Sequence, residues 1–117
     1  MSTSSKKTGN KGENIAATYL EREGYKIIQK NYYSKYGEID IIAENQNIIY
    51  FFEVKTRYHS SLNHPLESIT YKKSQCLIKT SLHFLNQNNE NRSWRIALIS
   101  ILLQRHTSPE IEIIELH

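Results

Sequence analysis

The clearest pattern of apolar and polar positions lies in the middle of the chain, in two segments rich in Ile, Phe, Tyr and Val. Residues 38–43 and 48–56 have this composition, which is typical of β-strands. Asn45, Gln46 and Asn47 separate them, and Asn is a turn former because it tolerates left-handed backbone angles. The pattern therefore predicts a β-hairpin.

Apolar residues at helical spacing predict two helices, one before and one after this hairpin. Residues 12–23 carry an apolar stripe that ends before Gly24, a natural stop for a helix, and residues 66–86 repeat the helical spacing. Short apolar segments predict the remaining strands, and polar segments predict loops: strands at 25–33, 94–103 and 110–116, loops at 59–65 and 87–93. The order α-β-β-β-α-β-β predicts an α/β fold with a central mixed β-sheet flanked by helices.

Length and composition narrow this picture to one small domain. The 117 residues suffice for a single core, and we expect a flexible basic leader at residues 1–9 and one domain at residues 10–117. No apolar segment is long enough to cross a bilayer, and the start of the chain lacks the apolar stretch of a secretion signal. Cys76 is the only cysteine, so an internal disulfide is impossible, which suits the cytoplasmic location we expect.

The formal charge of +3 is compatible with a polyanionic partner and does not require one. Lysines crowd the N-terminal third of the chain, Lys35 among them, and Tyr32, Tyr33 and Tyr36 lie between these lysines. Basic residues interleaved with aromatic ones suit phosphate contacts and base stacking. Taken alone, the feature favours a simpler interpretation, a solvated surface whose tyrosines pack on a sheet.

The charged residues of the hairpin gather at the end far from the turn. A turn centred on residues 46–47 sets Asp40 opposite Glu53, with Cβ atoms about 5 Å apart. Two carboxylates this close repel each other, and a divalent cation such as Mg²⁺ between them is the simplest resolution. The same register sets Glu38 opposite Lys55, and cross-strand salt bridges of this kind are the structural alternative.

The register also predicts that the two faces of the hairpin differ. One face is wholly apolar and pairs residues of the first strand with residues of the second: Ile39, Ile41 and Ala43 with Val54, Phe52 and Tyr50. The other face is apolar near the turn and charged at the far end, where Arg57 also lies. A strand pair that buries both faces yet holds charges at one end loses stability unless those charges have a task.

Two motifs of the hairpin resemble those of a known family. The segments GEIDIIA at residues 37–43 and FEVKTR at residues 52–57 resemble the YraN-like family of small bacterial proteins, and Gly12 and Glu13 on the first helix fit it too. The resemblance runs from about residue 9 to about residue 102, which is most of the chain. That family is similar to the restriction-endonuclease-like, or PD-(D/E)XK, superfamily, and within it to archaeal-type Holliday-junction resolvases.

The resemblance implies the site of a nuclease that uses Mg²⁺ or Mn²⁺. Asp40 and Glu53 would bind the metal, with the Val54 carbonyl as a third ligand. Lys55 would orient or deprotonate the attacking water, and Glu13 would approach from the first helix. A helix-start acid favoured by the helix dipole is the alternative explanation for Glu13. Candidate contacts to nucleic acid are Lys35, Arg57 and Lys73, and a solvated helix lysine is the alternative explanation for Lys73.

The implied activity is hydrolysis of phosphodiester bonds in branched or otherwise structured DNA, in repair or recombination. Symmetrical cutting of two strands would need a homodimer, and neither a membrane partner nor a nucleotide cofactor is expected. One departure concerns the strand after the long helix, where the family usually has Arg-aromatic-Asp and this chain reads Arg95-Ile96-Ala97. The missing acid is either structural or a sign of weakened activity. A non-catalytic nucleic-acid-binding or adaptor protein on a nuclease scaffold is therefore the second hypothesis, and a purely structural domain the third.

Overall fold

Two helices and five strands make up the described part of the chain, in the predicted order. The structure is a computed structural model that describes residues 3–58 and 64–117, with side chains from residue 10 onward. Its elements are α1 (Thr3–Arg22), β1 (Lys26–Ser34), β2 (Gly37–Asn45), β3 (Ile48–Tyr58), a 3₁₀ turn (Pro65–Ser68), α2 (Tyr71–Gln87), β4 (Trp94–Leu103) and β5 (Glu110–Glu115). This order confirms the predicted α/β fold with a mixed sheet.

The five strands form one sheet in the order of the sequence, β1-β2-β3-β4-β5. Neighbouring strands are antiparallel except for β3 and β4, which run parallel from the pair Ile49–Trp94 to the pair Tyr58–Leu103. Parallel neighbours need a crossover connection, and α2 supplies it because it lies between β3 and β4 in the chain. The tight hairpin of β2 and β3 turns at residues 46–47, as predicted.

The helices pack on opposite faces of the sheet, and each face has its own core. On the first face, buried side chains of α1 meet those of the central strands: Ala16, Ala17 and Leu20 with Ile41, Ala43, Phe52, Ala97, Ile99, Ile101 and Leu103. On the second face, buried side chains of α2 do the same: Leu77, Phe84 and Leu85 with Ile39, Ile42, Ile49, Phe51 and Ile96. Because helices cover both faces, the central strands are apolar on both.

The first helix is longer than predicted. It begins at Thr3 rather than at residue 12. The prediction missed residues 3–11 because they are polar and have no apolar stripe by which a helix could be recognised. Residues 3–9, predicted to lie in a basic leader, therefore belong to α1. The domain boundary at residue 10 stays a prediction.

The second helix begins later than predicted, at Tyr71 rather than at residue 66. Thr70 caps its N-terminus, since the Thr70 side chain accepts a hydrogen bond from the Lys73 N–H at 3.1 Å. The residues before the cap form the separate 3₁₀ turn. Of the loop predicted at residues 59–65, residues 59–63 lie outside the described residues.

Side-chain alternation in β2 breaks at Asp40, and this corrects the prediction for Ile39. Ile39 was expected beside Ile41 on one face, but it packs in the α2-side cluster whereas Ile41 packs in the α1-side cluster. On the neighbouring strand, Asn31 lies between the pairs Lys30–Ile41 and Tyr32–Ile39 and has a φ of +54°. This left-handed residue of β1 thus lies beside the point at which the side chains of β2 change faces.

Gly12 marks the place where α1 comes closest to β3. Gly12 is buried, and a Cβ atom there would overlap Thr56 Oγ1 and lie 3.1 Å from Thr56 Cβ. The missing side chain therefore lets the helix backbone approach the strand. This contact fixes the position of the next residue, Glu13, relative to β3.

We predict that Gly12→Ala lowers the free energy of unfolding by about 1–3 kcal/mol, because the added methyl group overpacks the contact with Thr56. Helix propensity alone would predict a gain of up to about 1 kcal/mol. Chemical denaturation measures the change, and Asn14→Ala on the exposed side of α1 is the matched control. The double variant with Thr56→Ala should recover most of the loss; equal losses in the single and double variants would contradict the close approach.

Candidate functional site

The candidate site lies where β2 and β3 separate. Their pairing ends at Ile41–Phe52, although β2 begins four residues earlier, at Gly37, and β3 continues to Tyr58. Asp40 is the first residue beyond the paired region, and its Oδ2 accepts a hydrogen bond from the Val54 N–H at 2.8 Å. The carboxylate thus takes the place of a backbone acceptor and lies between the two strands.

Three carboxylates meet at this point. Ligand atoms of Glu13, Glu38 and Asp40 all lie within 4.8 Å of one another, and all three side chains are half-buried. Glu13 comes from α1 and the other two come from β2. The packing of α1 on the sheet therefore brings together Glu13 and Asp40, which were both predicted as site residues.

Glu38 is the member of this group that the sequence did not assign to the site. It was expected opposite Lys55, but the described pairing of β2 and β3 stops before that position. Its carboxylate lies instead with those of Glu13 and Asp40. Its spacing of two residues from Asp40 was the available signal, since such residues of a regular strand share a face.

Burial and mutual repulsion weaken the acidity of all three groups. Burial, followed by the charge of Glu53, raises the pKa of Asp40 from 3.8 to about 6, although the Val54 N–H opposes the change. Burial and the neighbouring Glu38 carboxylate raise the pKa of Glu13. Burial and the nearby Asp40 raise the pKa of Glu38. A positive charge placed among these groups would relieve the repulsion.

Glu53 lies beside the three carboxylates but faces α2. Its Oε1 is 3.1 Å from the Lys73 Nζ, and its side chain is only 15% exposed. Burial raises the pKa of Glu53, while the charge of Lys73 acts in the opposite direction. Lys73, predicted as a contact to nucleic acid, thus forms a salt bridge with one of the predicted metal ligands.

The other basic residues predicted for the site lie on β3 and in the turn between β1 and β2. Lys55 is exposed two residues beyond Glu53 on β3, and Arg57 is half-buried two residues further. Both line a cleft of about 410 Å³, whose other lining residues are Thr56, His64, Pro65, Glu67 and Ser68. Lys35 lies in the turn between β1 and β2, away from this cleft.

Tyr33 contributes a hydroxyl group to the edge of the acidic group. It pairs with Glu38 across β1 and β2, and 67% of its surface is exposed. The charge of the Glu38 carboxylate is the main reason that the pKa of Tyr33 is raised. An exposed aromatic ring therefore borders the carboxylates.

Ala97, which stands where the family usually has an acid, lies in the core. It is 1% exposed, belongs to the α1-side cluster and pairs with Phe52 on β3. The next residue of β3 is Glu53, so position 97 adjoins the site through the sheet. The methyl group of Ala97 adds no charge there.

These observations define an α/β protein whose mixed sheet opens at a group of half-buried carboxylates. The model of the uncharacterised protein family UPF0102 matches residues 12–101, which include every element that forms the site. The chain belongs to this family, the one whose motifs the YraN-like resemblance indicated. No helix in the described part of the chain is long and apolar enough to cross a membrane.

Individual relatives cover most of the chain. A UPF0102 protein of Sulfurihydrogenibium sp. strain YO3AOP1 is 47% identical over 90 residues, which are 76% of this chain and 78% of that protein. One of Chlorobium phaeobacteroides is 41% identical over 117 residues, which are 99% and 92% of the two chains. One of Chloroherpeton thalassium is 40% identical over 96 residues, or 81% and 74%.

Without metal, the stability of the protein should fall as the pH rises from about 4 to about 6. The pKa of Asp40 is higher in the folded state than in the unfolded state, so the folded state holds more protons in this range. The difference between 3.8 and about 6 corresponds to about 3 kcal/mol. Urea denaturation in EDTA at several pH values measures the slope.

Asp40→Asn should flatten this dependence and raise stability near neutral pH, because the amide oxygen still accepts the Val54 N–H without a charge. Glu112→Gln, at an exposed position of β5, is the control and should keep the wild-type slope. An unchanged slope in Asp40→Asn would show that Asp40 is not the group responsible.

Proposed function

We propose that this protein is a metal-dependent endonuclease that hydrolyses phosphodiester bonds in DNA. The observation that carries the proposal is the meeting of Glu13, Glu38 and Asp40 beside Glu53, where burial and repulsion raise the pKa of every carboxyl. Such a group reduces stability in the absence of a cation. The group of carboxylates lies at the point where β2 and β3 separate, and a substrate can reach the carboxylates there.

The donor set fits Mg²⁺ or Mn²⁺. All candidate side-chain donors are carboxylate oxygens, and hard divalent cations prefer oxygen ligands. Asp40, Glu13 and Glu38 are close enough to share one ion, and Glu53 and the Val54 carbonyl adjoin them on β3. When bound, the ion would neutralise charge on the scissile phosphate and lower the pKa of a coordinated water.

Residues of the chain have separate tasks in this proposal. The Val54 N–H holds the Asp40 carboxylate in place, and Lys73 holds Glu53 from the opposite face. Lys55 is exposed at the mouth of the cleft beside Glu53, where its ammonium group can orient the attacking water or exchange a proton with it. Lys35, Arg57 and Lys73 carry positive charge that the phosphate backbone requires.

The resemblance to Holliday-junction resolvases favours branched or structured DNA as the substrate, in repair or recombination. A chain with one such site must form a two-fold dimer if it cuts two strands symmetrically. The proposal requires DNA as the partner and the cytoplasm as the location of the protein.

A second candidate function is a nucleic-acid-binding or adaptor protein that does not cut. Two observations favour it. Ala97 leaves the position of the family's usual acid uncharged, and Lys73 already neutralises Glu53 without a metal. The second candidate requires the same basic surface but no metal.

Cleavage of labelled DNA tests the nuclease directly. We expect the wild-type protein to cut four-way-junction, flap, single-stranded or duplex DNA in Mg²⁺ or Mn²⁺ and not in EDTA. Asp40→Asn and Lys55→Ala should each reduce the rate at least about 100-fold, because one loses a metal ligand and the other a proton-transfer group. Lys26→Gln, on β1 outside the site, is the control. Binding without cutting, equal in wild type and variants, would support the second candidate instead.

Metal binding can be measured independently of cleavage. Mn²⁺ or Mg²⁺ should raise the melting temperature of the wild type, because the ion binds the folded state and relieves the repulsion among its carboxylates. Asp40→Asn and Glu13→Gln should reduce this gain, whereas Glu112→Gln should keep it. Equal gains in all four proteins would show that the ion binds elsewhere.

A further inference from the structure

A second cleft lies between the β1–β2 turn and α2. It has a volume of about 450 Å³ and is lined by Tyr36, Lys79, Leu82, His83 and Asn86. None of these described lining residues is acidic. The cleft therefore combines an aromatic ring, an amide and a positive charge, without a carboxylate to neutralise that charge.

Two ammonium groups approach one aromatic ring at this cleft. The Lys35 Nζ lies 5.3 Å and the Lys79 Nζ 6.0 Å from the centroid of the Tyr36 ring. Both lysines are exposed, and neither forms a salt bridge within the described part of the chain. Two like charges beside a partly exposed ring form a site for an anion that also carries a flat, stackable group.

The walls of the cleft are held in place by contacts between the turn and the helix. The Tyr32 hydroxyl lies 2.6 Å from His83 Nδ1, and Ser34 Oγ donates to Thr80 Oγ1 at 3.3 Å. Gly37 has a φ of +149°, and a Cβ atom there would lie 3.6 Å from Cys76 Cβ and from Thr80 Oγ1. These contacts hold the turn against α2, so the ring of Tyr36 is positioned before a ligand arrives.

The cleft lies close to the carboxylates. Tyr36 precedes Glu38 by two residues, and Lys79 follows Lys73 on α2 by six residues, or about 9 Å of helix. The β1–β2 turn and α2 therefore each connect the cleft with residues of the carboxylate site.

We infer that this cleft binds an unpaired segment of a nucleic-acid strand, with a base stacked on Tyr36 and phosphates held by Lys35 and Lys79. A base within a duplex has both faces covered by its neighbours, so stacking on a side chain selects a single strand. This inference rests on the proposed nuclease, because the nuclease site defines where the strand enters before it reaches the cleft. It defines the substrate class as DNA with a single-stranded arm next to the cut.

Fluorescence anisotropy in EDTA tests binding without cleavage. The probes are labelled oligo(dT) and oligo(U) of about 12 nucleotides and a duplex of the same length. Tyr36→Ala should weaken oligonucleotide binding roughly tenfold with little effect on the duplex, and Tyr36→Phe should retain it. Lys79→Gln should lower the slope of log Kd against log salt by about 0.7, the loss of one phosphate contact to a single strand.

Two variants serve as matched controls. Tyr71→Ala removes a tyrosine that is 80% exposed outside the cleft, and Lys26→Gln removes an exposed lysine on the far part of β1. Both should bind the oligonucleotides like the wild type, and circular dichroism checks that every variant is folded. Wild-type binding that is absent, or that Tyr36→Ala and Tyr71→Ala weaken equally, overturns the inference. So does equal weakening of single-stranded and duplex binding by Tyr36→Ala.

The same series separates this inference from the nuclease. Asp40→Asn should bind the oligonucleotides in EDTA at least as tightly as the wild type, because it removes a negative charge and leaves the cleft intact. If cleft variants lose binding while no protein cuts DNA, the cleft stands and the nuclease fails. If the wild type cuts a flap and Tyr36→Ala cuts it with the same KM, the cleft fails and the nuclease stands.

Discussion

The hydrogen bond from the Val54 N–H to the Asp40 carboxylate is the interaction on which the site depends. Where β2 and β3 separate, a backbone donor would lose its partner, and a buried unpaired N–H costs about 1–3 kcal/mol. Asp40 satisfies that donor and keeps the strands apart at the same time. The separation admits Glu13 from one face of the sheet. The cost is a half-buried charge, which appears as the raised pKa of Asp40.

The two helices deliver groups of opposite sign to this opening. α1 brings Glu13, which adds to the repulsion, and α2 brings Lys73, which neutralises Glu53. Gly12 makes the first approach possible because its missing side chain lets α1 lie against Thr56. The cap of α2 at Thr70 sets the position of Lys73, since it fixes the start of the helix three residues before Lys73. Residues with no charge of their own therefore determine how the charges are arranged.

Local patterns predicted the strands, their order along the chain and the turn of the central hairpin, because these features depend on residues close in sequence. They also placed Asp40, Glu53 and Lys55 on neighbouring strands. The change of face at Asp40 was not predictable, since strict alternation along β2 places Ile39 and Ile41 on one face, whereas they pack in different clusters. The place of Glu38 in the site was missed because a pairing with Lys55 was expected, and the described pairing of β2 and β3 stops before that position. The start of α1 was missed because residues 3–11 carry no apolar stripe that would mark a helix in the sequence.

If the protein is the proposed nuclease, its carboxylate site needs a separate surface that attracts the phosphate backbone. A phosphate backbone is repelled by Glu13, Glu38, Asp40 and Glu53, and a net charge of +3 gives only weak attraction over the whole molecule. Because salt screens charges beyond about 10 Å, attraction must come from cations close to the cut. Lys35 lies in the β1–β2 turn three residues before Glu38, and Lys79 lies on α2 six residues after Lys73. In the proposed nuclease, these lysines would hold a strand near the carboxylates before a metal ion neutralises them.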